Sequence, residues 1–428
     1  MPLRIKDWQV YVLTAIAALF NFVIFGLSHY RTWSDAFEYS SHATNLLQSG
    51  LYSFDGTHFD VAREPGYPFF LTIVYKIFGN ENLLAVGVLQ ALLLGVLGFI
   101  IYRTFAEYEE KKTGLTAGIV ISAFPSYGYY ANEILTELLF AFLMSLLFFI
   151  SIRILHAKDK ISTLTFFLFG VLCGYASLVR VQFLFFLPLV GLLFILFSKR
   201  RLESLKKSGA AFAALFLILG SWGLYVKQHT GHFALTEGRQ ESVLNVRAVR
   251  AQLSYSDLTR YAGAWVSRSI HGGVSTPILD NNEAKGITER YFARATTTEA
   301  VARIKSENMH TILSNPGHYI YGNVIEVMKM LYIEHDYTDS QSRYFRPVLY
   351  AFMYAFFLFG LFQIARNWKN KEMRIFAAVA LLFPLYNLAI LSFFDTVPRF
   401  NTPYLQFYIV IGFIGVVIWR RGRDHLQV

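Results

Sequence analysis

The chain has 428 residues, of which 54% are hydrophobic, 17% aromatic and only 16% charged. Soluble domains carry about 25% charged residues, so this composition excludes an ordinary water-soluble fold. The formal net charge of +10 could suggest a nucleic-acid partner, but its distribution along the chain makes it a topology signal instead.

A helix that crosses a bilayer needs about 20 mostly apolar residues. Ten segments qualify, at about 8–28, 83–102, 114–131, 134–154, 163–179, 181–198, 209–226, 347–365, 375–394 and 403–419. The run 67–78 is too short to cross alone, contains Lys76, and reads as a helix that dips into the interface. The expected fold class is therefore an all-α polytopic membrane protein with about ten spans. The first segment is too long, and lacks the cleavage site, for a removable signal peptide. Cys173 is the single cysteine and lies within a span, which excludes an intramolecular disulfide.

Arg and Lys cluster at Arg4/Lys6, Arg103/Lys111/Lys112, Arg153/Lys158/Lys160, Lys199 to Lys207, Arg366 to Arg374 and Arg420 to Arg423; these six stretches hold 20 of the 39 basic residues. If the spans alternate, all six lie on one side. The positive-inside rule then places them in the cytoplasm with both termini. Two large pieces face outward, 29–66 and 227–346. The expected organisation is a transmembrane core over 1–226, an extracytoplasmic segment over 227–346 and C-terminal transmembrane helices over 347–428. The outer segment carries 14 basic and 12 acidic residues, so it is nearly neutral and reads as folded. Apolar residues at helical spacing predict a helix over 296–313, and a second restarts over 315–334 after a turn. No heptads or repeats are present.

Outside the cytoplasmic stretches and the long outer segment, nine carboxylates remain: Asp35, Glu38, Asp55, Asp60, Glu64, Glu81, Glu133, Glu137 and Asp395. Five cations accompany them: Arg31, Arg63, Lys76, Arg180 and Arg399. Most fall at outer ends of spans, where ionisable groups are costly unless they face a cavity or a partner. Acids with a few arginines suit a reaction that removes a proton and holds an anion.

"SDAFEYSSHATNLLQSG" (34–50) reads as a helix stopped by Gly50. Asp35, Glu38 and His42 share one of its faces. Asp35 followed by Glu38 is also a plausible N-terminal capping arrangement, and His42 alone reads as a solvated surface residue. Pro65 and Pro68 are expected to hold Glu64 and Tyr67 out of the helical region, giving an extended lead-in that brings Glu64 toward Asp35.

"DAFEY" (35–39), "NLLQSGLYSFDG" (45–56) and "REPGYPFFL" (63–71), in that order, resemble the first outer loop of the C-type (GT-C) membrane glycosyltransferases. The resemblance is to the glycosyltransferase family 39 / protein mannosyltransferase-like group, which includes the lipid A aminoarabinose transferases. "YYANEILTELLFAFL" (129–143), "GYASLVRVQFLFFLPL" (174–189) and "PRFNTPYLQFYIVIGF" (398–413) resemble its later elements. The likeness covers 1–226 and 310–428 and leaves 230–310 unmatched.

The resemblance implies a GT-C fold and a polyprenyl-phosphate-linked sugar donor that enters from the lipid. An acceptor hydroxyl, on a lipid, a glycan or a protein, attacks with inversion on the extracytoplasmic face. It implies Asp35 as the base, with Glu64 beside it, and Tyr39 and Tyr67 in substrate binding. Departures from the pattern matter. Glu38 stands where the aminoarabinose transferases have arginine, and Glu64-Pro65-Gly66 stands where they have Lys-Pro-Pro. A phosphate-binding lysine therefore cannot be carried over to Glu64, and Arg63, Arg180 and Arg399 become the candidates for the phosphate. The plain reading of Arg180 is a helix-end residue snorkelling to the headgroups, and that of Glu137 is pairing with an arginine. The added acids also permit Mg or Mn held by Asp35, Glu38, His42 and Glu64, as related oligosaccharyltransferases hold a divalent cation.

Two rival classes share the polytopic pattern. A flippase or transporter would show internal repeats and midplane charges, whereas these charges crowd at the outer ends. An O-antigen ligase or polymerase would share the lipid-linked substrate and a large late loop, but not the "DAFEY" and "REPGYP" set.

The orientation is testable. Single cysteines at Ser53 and Asn282, in a Cys173→Ser background, are expected to react with a membrane-impermeant thiol reagent in intact cells. Labelling only after the membrane is permeabilised would reverse the topology.

Overall fold

The computed structural model describes residues 6–26, 34–156, 161–197, 201–236, 239–259, 298–331, 342–391 and 398–424. Among these residues every regular element is a helix. Two compact units are present: 1–237 with 356–383 and 402–428, and 238–355 with 384–401.

The first unit begins with α1 (Asp7–Gly26), α2 (Ser34–Ser49), α3 (Gly66–Phe78), α4 (Leu83–Ala106), α5 (Lys111–Ser122) and α6 (Pro125–Ala131). It continues through α7 (Glu137–His156), α8 (Thr163–Val179), α9 (Phe186–Phe197) and α10 (Arg201–Thr230). The second unit contains α11 (Arg239–Ala251), α12 (Thr298–Ser314) and α13 (Pro316–Leu331). Helices α14 (Ser342–Arg366) and α15 (Lys371–Leu391) contribute residues to both units, and α16 (Leu405–Asp424) belongs to the first.

Seven helices among the described residues are long and apolar enough to cross a bilayer, and three apolar helices are shorter. This is a multi-pass membrane protein. Seven of the ten expected spans match these helices, and the other three, 114–131, 163–179 and 181–198, are made of shorter ones. The stretch 114–131 is two helices, because Pro125 opens α6 and Phe124 before it is extended (φ −69°, ψ 121°). The expected boundary between 163–179 and 181–198 falls at Arg180, whose extended backbone (φ −147°, ψ 106°) ends α8 ahead of a 3-10 turn over Val181–Phe185.

In the first unit α4 packs on α1, α5 and α7, while α8 packs on α10. Phe148 of α7 stacks on Phe376 and meets Phe407 edge-on, which joins α7 to α15 and α16. Residues 132–136 leave the helix between α6 and α7 and are all buried. Non-helical backbone is tolerated at membrane depth only inside protein or beside a cavity.

The short α3 is held in place by its first residue. A Cβ on Gly66 would lie 2.6 Å from the backbone of Leu178 and Val179, and the Tyr175 hydroxyl donates to the Gly66 carbonyl at 2.9 Å. Only glycine lets the start of α3 rest on the end of α8. Tyr67 is helical, contrary to the expected extended lead-in. Pro68 sits in the first turn of α3, where no N–H is needed for the helix.

In the second unit Ala248, Ala251 and Ile312 form a small core with Leu244 and Tyr319 packed on it. Arg250 pairs with buried Glu326 at 2.9 Å, and Arg247 donates to Asn323 and to the Leu391 carbonyl. The helices expected over 296–313 and 315–334 are α12 and α13.

Candidate active site

Helix α2 begins at Ser34 and ends before Gly50, whose positive φ of 74° makes it a glycine stop. Asp35 and Glu38, one turn apart in its first two turns, both receive Arg63 from the loop before α3. The Arg63 Nη2 donates to Asp35 Oδ1 at 2.6 Å, and its Nε donates to Glu38 Oε2 at 2.5 Å. Asp35 lies inside the helix, so the capping arrangement gives way to an ion-pair junction. The guanidinium also lies over the Tyr39 ring, 5.6 Å from its centroid, and Tyr39 meets Tyr67 edge-on at 5.3 Å. Burial opposes the charge on Arg63, but the bond to Glu38 and the neighbouring negative charges outweigh it and raise its pKa.

Glu64 is 4% exposed, beside a junction that is itself largely buried. Its charge, together with burial, which is the larger cause, raises the pKa of the Tyr52 phenol, and that phenol donates to the Arg63 carbonyl at 3.0 Å. Residues 63–66 therefore connect α2, through the side chain of Arg63, to the end of α8, through Gly66. The next residue after α8 is Arg180.

Arg180 does not snorkel. It is 5% exposed, with Nη2 2.8 Å from Glu137 Oε1, Nε donating to Thr136 at 3.0 Å and the guanidinium over the Phe140 ring. Glu137 is 2% exposed, and its expected pairing with an arginine is this one. Arg399 lies in the second unit, its guanidinium over the Phe400 ring.

Two residues with no assigned role in the sequence reading belong to this surface. The Tyr67 hydroxyl donates to Gln90 Oε1, and Gln90 Nε2 donates to the carbonyls of Ala131 and Glu133, bracing the unwound residues between α6 and α7. Gln90 sits within an apolar run, and a lone glutamine among apolar residues was the available signal. Glu133 is almost fully buried.

The metal alternative does not fit this geometry. Asp35 and Glu38 hold a cationic side chain, and both nitrogens of His42 are engaged: Nδ1 with the Glu38 carbonyl at 2.7 Å and Nε2 with Asp60 Oδ1 at 3.2 Å. Among the described residues no group of three His, Cys, Asp or Glu side chains is placed to hold a metal ion. Nor is His42 a solvated surface residue, since only 1% of it is exposed.

Residues 62–222 match the family model for dolichyl-phosphate-mannose-protein mannosyltransferases. No curated protein sequence matches the chain. Among solved structures, the archaeal oligosaccharyltransferase AglB from Archaeoglobus fulgidus, in complex with an inhibitory peptide and a dolichol-phosphate, aligns over 98% of this chain and 52% of its own. The TM-score is 0.54 at 12% identity. The same oligosaccharyltransferase tethered to an acceptor peptide aligns over 96% of this chain and 49% of its own, with a TM-score of 0.56 at 13% identity. ArnT from Cupriavidus metallidurans bound to undecaprenyl phosphate aligns over 96% and 78%, with a TM-score of 0.45 at 14% identity, too low to carry an argument. The chain spans about half the length of the oligosaccharyltransferase structures, and at these identities the likeness is one of fold.

The Arg180–Glu137 pair gives a stability test. Glu137→Leu leaves a buried guanidinium without its carboxylate and is expected to destabilise the protein in mild detergent by about 3–5 kcal/mol. Adding Arg180→Met should restore part of that loss. A Glu137→Leu protein that unfolds with the parent would show that the pair is not a buried ion pair.

Proposed function

We propose that this chain, a membrane glycosyltransferase of the GT-C type, transfers a sugar from a polyprenyl-phosphate carrier to an acceptor hydroxyl. The reading places the site on the extracytoplasmic face, with both termini in the cytoplasm, as the six basic stretches support. Its membrane is the cell membrane. The long outer segment, which the family match does not reach, selects the acceptor.

The observation that carries the proposal is the Asp35–Arg63–Glu38 junction. It sets a carboxylate and a guanidinium side by side in a setting largely removed from water, which is what proton removal and phosphate departure require of one site. Asp35 takes the acceptor proton as the acceptor oxygen bonds to the anomeric carbon. The bond from that carbon to the phosphate oxygen breaks on the opposite side, the anomeric centre inverts, and the carrier leaves as polyprenyl phosphate. A neighbouring cation keeps Asp35 ionised and aimed.

Arg63 serves both ends of this displacement. A guanidinium has five N–H donors, and the two carboxylates of α2 engage one each. The remaining donors meet the charge that grows on the departing phosphate, where preorganised donors contribute most. Arg180 supplies a second cation already neutralised by Glu137, so it binds phosphate only by sharing that carboxylate. Tyr39 and Tyr67 back the junction, Tyr39 against the Arg63 guanidinium and Tyr67 against Tyr39, and buried Glu64 orients the acceptor hydroxyl toward Asp35. No step passes through a metal ion.

Asp35→Asn separates base from scaffold. The amide oxygen still accepts from Arg63, yet it takes up no proton. A positioned base is worth typically 10²–10⁴-fold. Turnover of glycosylated polyprenyl phosphate, followed by mass spectrometry in membranes containing equal amounts of folded protein, is expected to fall a hundredfold or more. Turnover close to that of the parent would remove Asp35 from the role of base.

A further inference from the structure

The junction depends on where the loop delivers Arg63, and one carboxylate outside the junction fixes that delivery. Asp60 Oδ1 accepts the amide of Ala62 at 3.0 Å, and Oδ2 accepts the amide of Phe54 at 2.8 Å. The same Oδ1 meets His42 Nε2 at 3.2 Å. The Glu38 carbonyl and the Asp60 carboxylate both accept, so His42 donates to the carbonyl from Nδ1 at 2.7 Å and to Asp60 from Nε2 only when the ring carries a proton on each nitrogen. The Asp60 amide donates to the Tyr52 carbonyl at 3.2 Å. Tyr52 in turn packs its ring on His42 and donates its hydroxyl to the Arg63 carbonyl.

These contacts form a closed path. It runs from Glu38, which grips the guanidinium, through His42 and Asp60 to Ala62, whose neighbour is Arg63. The loop is thus pinned to the same face of α2 that carries the two acids. Asp60 sits partly out of water, and burial would raise its carboxyl pKa. The bond from His42 and the amides of Ala62 and Phe54 outweigh burial and hold it below the ordinary range.

We infer that Asp60, acting through His42 and the Ala62 amide, is a positioning residue that sets Arg63 between Asp35 and Glu38. The inference rests on the reading of Arg63 as a donor of hydrogen bonds to the carrier phosphate. It assigns Asp60 no contact with substrate.

The test is a double-mutant cycle on the purified full-length protein, with undecaprenyl phosphate as the probe and binding followed by titration. Arg63→Ala is expected to weaken binding about tenfold or more, the usual consequence of losing a charge-assisted hydrogen bond. Asp60→Asn keeps one acceptor oxygen but puts an amide donor in place of the other, so the Ala62 and Phe54 amides are no longer both satisfied, and it is expected to weaken binding by a similar factor. In the Arg63→Ala background, Asp60→Asn should then cause no further loss, because its effect passes through the missing side chain. His42→Gln, which leaves the Asp60 amide bonds intact, should give a smaller weakening that also vanishes in Arg63→Ala. It serves as the measurement if Asp60→Asn does not fold.

A structural role alone would weaken binding equally in both backgrounds, and that result overturns the inference. So does an Asp60→Asn protein that binds like the parent while Arg63→Ala does not; in that case the phosphate reading of Arg63 stands and only the positioning role falls. Parental binding by Arg63→Ala itself would strike the phosphate reading, and the inference with it.

Discussion

An arginine shared by two carboxylates of one helix organises the candidate site of the first unit. Charges leave water only in company, and a cation between two acids offsets part of the cost of holding three of them together at low exposure. The sequence surroundings serve that need. Asp35 and Glu38 fall on one face of α2, and Gly50 ends the helix soon enough for the chain to double back. Asp60 pins the returning strand of loop, and Gly66 lets it lie flat against the end of α8.

The membrane imposes the second constraint, and it explains the breaks in the helices. Unwound backbone at 132–136 and the extended residue Arg180 are both buried within the first unit. Gln90 answers two carbonyls of the first break, and Glu137 with Thr136 answers the guanidinium at the second. Breaks of this kind cost backbone hydrogen bonds that lipid cannot return. They are therefore expected where side-chain chemistry is needed, and the candidate site is where they occur.

Much of this was legible in the chain because it is local. Hydropathy and basic stretches outlined the spans, Gly50 marked the end of α2, and helical spacing marked α12 and α13 to within a few residues. Long-range partners were not legible. Asp35 and Glu38 read equally as a helix cap until Arg63, 28 and 25 positions away, arrived between them. His42 looked solvated because nothing in its own helix announces Asp60. Tyr67 looked extended because the rule for residues before proline is statistical, and the first turn of a helix tolerates Pro68. Pro125 was a visible breaker inside an apolar run that length alone suggested was one span.

The central claim is that the chain consumes a sugar linked to polyprenyl phosphate. The most direct measurement is a mass-spectrometric profile of polyprenyl-phosphate sugars and envelope glycans in cells with and without the protein. The account predicts that one glycosylated polyprenyl phosphate accumulates when the protein is absent and that the matching sugar disappears from an envelope acceptor. An unchanged profile of carriers and glycans would contradict it.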